Sequence, residues 1–147
     1  MSRNGGFTLL ELLVALTLLA ALSGVAVPRA RVLLQSWQLS AAARQVVMDL
    51  KLVRARAIGA GITHRLRFAV PGTAYQQERR SGSGYAAAGP PTQLPDGVQV
   101  VECTAGGGGV AFRPRGYAAS FGTITLRNRA GHERRVVVDI AGRLRVR

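Results

Sequence analysis

Three spacings of apolar residues follow one another along the chain, and each predicts a different element. From Phe7 to Val27, 21 residues carry a single charge, Glu11. At about 1.5 Å per residue this run spans roughly one hydrocarbon thickness, about 30 Å. Pro28 follows, and a bend is expected there because proline has no N–H for the preceding turn. Beyond it, Leu39, Ala43, Val46, Leu50, Val53 and Ala57 recur at steps of three and four, the stripe of a helix with one buried face. Gly59 and Gly61 end the stripe, and Arg54 and Arg56 stand in its last turns, where the helix dipole favours cations. The spacing predicts one long helix from about Thr8 to Ile58. Arg44 and Lys51 lie on its solvated side.

From Ile62 the period falls to two. Ile62, His64, Leu66, Phe68 and Val70 alternate with Thr63, Arg65, Arg67 and Ala69, the pattern of a strand with one buried side. Pro71-Gly72 is a turn, and 74–79 pairs back as a second strand. The Gly-, Ala- and Pro-rich stretch 81–91 reads as loop. Val98 to Cys103 is a strand. Gly106 to Gly109 is a flexible break, lacking the lysine and helix of a phosphate loop. Val110 to Phe112 is a strand ended by Pro114 and Gly116. Residues 122–128 and 134–140 form a hairpin around 129–132, and 143–147 is a last short strand or tail after Gly142. Strands without a second helix predict an α+β fold, a small antiparallel β-sheet meander packed on the long helix.

Charge and candidate chemistry narrow the function. A chain of 147 residues is one domain by size, and its formal net charge is +13. Nineteen of the twenty basic residues are arginine; the exception is Lys51. Such an excess attracts phosphate backbones, anionic lipid heads or acidic protein faces. From Arg113 to Arg147, nine arginines face only Glu133 and Asp139, a net of +7 in 35 residues. Cys103 is the single cysteine, so no internal disulfide forms, and it reads as a buried small hydrophobe. His64 falls on the apolar face of a strand and reads as a core or rim histidine; His132 falls in a turn and reads as solvated. Asp139 lies near the tail arginines and is placed to pair with one. With no acid pair, CxxC or GxSxG, the chain is expected to be no enzyme and to hold no cofactor and no metal.

Glu11 costs a few kcal/mol in a membrane segment, and three readings of the first run account for it differently. A cleaved secretory signal would be cut after Ala26, with small Gly24 and Ala26 before the cut, but the run is long and only Arg3 precedes it. An ordinary anchor would let Glu11 reach the headgroups, and the positive-inside rule gives its orientation little help, with Arg29 and Arg31 after the run against Arg3 before it. In the third reading, Gly6-Phe7-Thr8-Leu9-Leu10-Glu11 resembles the class III signal of type IV pilins and type II secretion pseudopilins. The resemblance implies that 1–6 is a leader, cut between Gly6 and Phe7 by a prepilin peptidase that then methylates the Phe7 amine. It makes 7–27 the transmembrane half of the helix, 28–59 its periplasmic half with a kink at Pro28, and 60–147 the globular domain. Glu11 of one subunit then pairs with the Phe7 amine of its neighbour, where Coulomb attraction is weakly screened.

Three further stretches, "FRPRG" at 112–116, "GTITL" at 122–126 and "DIAGRLRV" at 139–146, resemble the GspH/FimT branch of minor pilins. That resemblance implies a non-enzymatic subunit at or near the tip of a type II secretion pseudopilus or type IV pilus. It implies a single-pass inner-membrane protein whose C-terminal domain is periplasmic. Its partners would be other pilin-like subunits, the prepilin peptidase and an inner-membrane assembly platform. The ending "GRLR" at 142–145 also resembles a tail motif linked to DNA capture in FimT members. By that pattern Arg143 and Arg145 grip phosphates, and Arg134, Arg135 and Arg147 extend the patch. The same arginines also read as a solvated edge strand kept charged against aggregation, or as a face for an acidic protein or anionic lipid.

Overall fold

The computed structural model describes residues 8–147, apart from the side chains of 25–28 and 30–32. Gly6 and Phe7 lie outside the described residues, as does the side chain of Pro28. One helix, α1, covers Leu9–Ala60, and the helical backbone passes through Pro28 without interruption. The chain divides into two compact units, one up to Leu34 and one of Gln35–Arg147.

In the first unit, Leu9, Leu10, Leu12, Leu13, Leu16, Leu18, Leu19 and Leu22 are all exposed. They occupy every side of the helix, so no stripe separates a wet face from a dry one. Among the described residues no helix is long and apolar enough to cross a membrane. The fully described part of the apolar run, 9–24, is shorter than the roughly 20 residues a span needs.

The second unit joins the last part of α1 to ten strands. They are β1 (His64–Phe68), β2 (Ala74–Ser81), β3 (Gly84–Ala87), β4 (Thr92–Gln93) and β5 (Val98–Cys103), then β6 (Gly109–Phe112), β7 (Ala118–Ser120), β8 (Gly122–Asn128), β9 (Glu133–Val138) and β10 (Leu144–Val146). They form two antiparallel sheets. One has the order β3-β2-β1-β6-β7, with β4 also on β2; the other has the order β10-β9-β8-β5. The simple meander expected from the strand spacing is therefore wrong. β1 pairs with β6 and β5 with β8, so the chain crosses between sheets. Alternation marks which side of a strand is buried but carries no information about its partner.

The expected loop at 81–91 contains β3. A tight turn at Gly82 (φ +57°) folds it back on β2, pairing Ser81 with Gly84 and Arg80 with Tyr85. The gain is a cation–π contact: the Arg65 guanidinium carbon lies 3.8 Å from the Tyr85 ring centre. The three residues of β7 were too short a run to show a period.

One core unites helix and sheets. The stripe residues Leu39, Ala43, Val46, Leu50, Val53 and Ala57 are all buried, with Ala42 beside them. They meet Leu66, Phe68, Val110 and Phe112 of the first sheet and Val100, Ile124, Leu126 and Val136 of the second. His64 is buried on the same side, its Nδ1 3.1 Å from the Ile62 carbonyl. The buried Tyr75 hydroxyl donates to the Asp49 carboxylate and accepts from Gln45 Nε2 at 3.0 Å, which ties β2 to α1. Burial and the adjacent Asp49 charge raise the Tyr75 pKa.

Arg54 and Arg56 do not serve the end of the helix as expected. The half-buried Arg54 reaches two turns of the β-domain, with Nε donating to the Gly116 carbonyl at 2.9 Å and Nη1 to the Gly142 carbonyl at 3.2 Å. Arg56 bonds the Gln77 side chain. The two turns are closely apposed: a Cβ on Gly142, where φ is +75°, would lie 2.7 Å from the Gly116 carbonyl oxygen. Gly131, at φ +83°, has open space around it. Gly142→Ala is expected to destabilise the chain by about 2–3 kcal/mol and Gly131→Ala by about 1 kcal/mol, because only the first adds a backbone clash to left-handed strain. Urea unfolding of the two variants checks the order.

Candidate functional site

At the start of α1, Thr8 caps the helix. Its Oγ1 accepts the Glu11 N–H at 3.2 Å and its carbonyl accepts the Leu12 N–H at 3.2 Å. Thr8-x-x-Glu11 is the sequence pattern of a capping box, and it places the acid in the first turn, where the dipole favours an anion. That local benefit is roughly 0.3–1 kcal/mol. A carboxylate in hydrocarbon costs about 2.5–3.5 kcal/mol or more, so the dipole alone does not offset it. Further along, the Thr17 hydroxyl donates to the Val14 carbonyl at 2.8 Å and the Ser23 hydroxyl to the Leu19 carbonyl at 2.7 Å. Both polar groups are satisfied within the helix, as an apolar surrounding requires. Among the described residues, Glu11 is the charged group of this stretch that makes no ion pair.

The second candidate is the β9–β10 edge. The register sets Leu144 opposite Val138, Arg145 opposite Val137 and Val146 opposite Val136. Arg135 and Arg147 exchange backbone bonds of 2.8 and 2.9 Å. Directly opposed residues share a face, so Arg135, Arg143, Arg145 and Arg147 line one side of the sheet. Val136 and Val138 are buried on the other, and Arg134 belongs to their side. The expected patch is thus four arginines rather than five.

Acids on the same face take up part of that charge. Arg143 donates through Nε to Asp139 Oδ2 at 2.9 Å, and its backbone N–H reaches Asp139 Oδ1 at 2.9 Å. Glu133 bonds Arg127 at 2.6 Å and approaches Arg135 at 3.6 Å. Arg145 and Arg147 are exposed and make no ion pair among the described residues. The backbone bond from Arg143 holds the Asp139 carboxyl below its ordinary range, and the Arg127 bond does the same for Glu133.

A third feature was missed at the sequence level. A groove of about 860 Å³ lies between the 113–117 turn and Ile140–Ala141, with Tyr117 and Phe121 on its rim. The available signal was two aromatics beside Pro114 and Gly116 in a basic stretch, and spacing alone does not show that Ile140 joins them. Cys103 is half-buried, and burial pushes its thiol up. Among the described residues no cluster of three or more His, Cys, Asp or Glu is placed to hold a metal.

A long N-terminal helix and antiparallel sheets around one core make this an α+β fold. Residues 1–27 match the family model for the prokaryotic N-terminal methylation motif. Among solved structures, the minor pseudopilin EpsH from the type 2 secretion system of Vibrio cholerae is similar, with TM-score 0.62 and 18% identity over 75% of this chain and 96% of that one. A second EpsH crystal structure gives 0.63 and 16% identity, covering 77% and 94%. The type IV minor pilin FimU of Pseudomonas aeruginosa gives 0.59 and 16%, covering 74% and 92%. A search of curated proteins finds no match. The motif covers only the first 27 residues, and the likeness to these structures is one of fold.

Asp139 also supplies a pH test. Its folded pKa is depressed, so its contribution is present above the ordinary carboxylate range and is lost as pH falls through the lowered value. Asp139→Asn is expected to lower the unfolding midpoint at neutral pH, with the difference from the parent closing on acidification. Paired melting curves across pH 7 to about 2 read this out.

Proposed function

We propose that the chain is a membrane-anchored, non-enzymatic structural subunit of a type II secretion pseudopilus or a type IV pilus. One observation carries this reading: α1 opens with a helix apolar on every side and exposed throughout 9–22, with one acid in its first turn. A helix of that kind must be covered by lipid or by other helices. Cleavage between Gly6 and Phe7 would leave a cationic amine at its head. In a bundle of such helices Glu11 of one subunit meets the Phe7 amine of the next, and each offsets the other's desolvation. Residues 7–27 then serve as a single inner-membrane span before assembly, with Pro28 at the bend and 28–59 leading to a periplasmic domain at 60–147. The methylation motif in 1–27 supports this course, and with it the prepilin peptidase, other pilin-like subunits and an assembly platform as partners. Placement at the fibre tip rests on the resemblance of 112–116, 122–126 and 139–146 to minor pilins.

The experiment is Glu11→Ala in a cell that assembles the fibre. The variant is expected in the membrane at parental level but reduced at least about tenfold in sheared fibres, because an unpaired buried charge costs several kcal/mol. Glu11→Asp should recover part of the loss. Parental amounts of Glu11→Ala in the fibre contradict the reading.

A second reading is favoured by Arg145 and Arg147, exposed on one face with no ion pair among the described residues. They suit phosphates of DNA, with Arg143 and Arg135 held partly in check by Asp139 and Glu133. Arg145→Ala with Arg147→Ala should then weaken duplex DNA binding by the full chain and lower its salt slope by about two. An unchanged slope removes this reading and leaves assembly untouched.

A further inference from the structure

We infer that the groove between the 113–117 turn and Ile140 binds an acidic segment of another protein through one bulky apolar side chain. The inference uses none of the N-terminal residues and stands apart from the assembly reading. Tyr117 is 58% exposed, Phe121 49% and Ile140 65%, and all three border the same cavity of about 860 Å³. Single exposed apolar residues are ordinary, but three converging on one concavity mark a binding surface.

The walls are fixed before anything binds. The Arg113 N–H donates to the Tyr117 carbonyl at 2.9 Å, and the Gly116 N–H to the Arg113 carbonyl at 2.8 Å. The Ala118 N–H donates to the Ile140 carbonyl at 3.1 Å, joining the two sides. From beneath, Arg54 holds the carbonyls of Gly116 and Gly142. A preformed groove loses little entropy when it is filled.

Charge selects the occupant. Arg113 and Arg115 border the groove, are exposed and form no ion pair among the described residues, and no acid lines the cavity. An acidic segment matches them. A second copy of this chain does not: it carries +13, its Glu78, Glu133 and Asp139 are paired with its own arginines, and its exposed Asp96 and Glu102 are single acids rather than an acidic run. A single-stranded nucleic acid would supply negative charge and stack on Tyr117 or Phe121, but it would leave the aliphatic Ile140 and the alanines beside it uncovered. They fit a hydrophobic side chain.

The test uses the full chain in neutral detergent and a fluorescein-labelled, capped peptide with the sequence Asp-Asp-Phe-Asp-Asp, followed by anisotropy. The control peptide has Ser in place of Phe. The Phe peptide should bind at least about fivefold more tightly than the control, and Tyr117→Ser with Phe121→Ser should remove that preference. Arg113→Gln with Arg115→Gln should weaken both peptides about fivefold, whereas Arg145→Gln with Arg147→Gln should leave the Phe preference intact. If the double aromatic variant melts early, Phe121→Ser alone gives the same reading at roughly half the effect. Three results overturn the inference: equal binding of the two peptides; an oligo-dT strand that displaces the Phe peptide and loses affinity in the aromatic variant; or self-association of the parent that the aromatic variant abolishes.

Discussion

A carboxylate at the head of an apolar helix is the constraint on which this molecule turns. The Thr8 cap and the helix dipole steady Glu11 but are worth at most about 1 kcal/mol, less than hydrocarbon charges for an ion. In the proposed assembly a counter-charge from a neighbouring chain meets the difference. Leu9 to Leu22 make the same demand in another form, since their exposed side chains need a partner phase or partner helices. Both needs would be met by the proposed packing of many copies of such helices side by side, with a cation at each helix head.

The globular unit follows a different logic. Its core is closed by one stripe of α1 against two sheets, and polar anchors fix the register of helix on sheet: Gln45 and Asp49 on Tyr75, Arg56 on Gln77, Arg54 on the Gly116 and Gly142 carbonyls. Arg54 has the widest reach. It draws together the turn that follows Phe112 and the turn that precedes Arg143, so the groove and the basic edge share one support. On the edge itself, Asp139 and Glu133 restrain part of the positive charge, and Arg145 and Arg147 carry what is left.

Much of this was legible from spacing. The stripe from Leu39 to Ala57 was read at every position, and β5 and β8 fall on the expected residues, because burial on one face imposes its period on the sequence. β3 was hidden because Gly84, Ala86 and Ala87 lack the branched or aromatic side chains that signal a strand. The sheet crossovers were hidden because pairing is non-local. At the site, only the register of β9 against β10 shows that Arg135 joins Arg143, Arg145 and Arg147 on one side and Arg134 does not. The roles of Arg54 and of the Tyr117–Phe121–Ile140 groove depend on contacts between residues far apart in sequence, which no local pattern encodes. The Thr8 cap is the opposite case: Thr8-x-x-Glu11 is a local pattern, legible without any tertiary contact.

The most direct measurement is the intact mass and N-terminal sequence of the chain recovered from its native cells. The account predicts a chain that begins at Phe7 with one methyl group on its amine, since only that cut places a cation at the head of the helix. A chain that begins at Val27 would lack Glu11 and the apolar helix altogether, and would contradict the account.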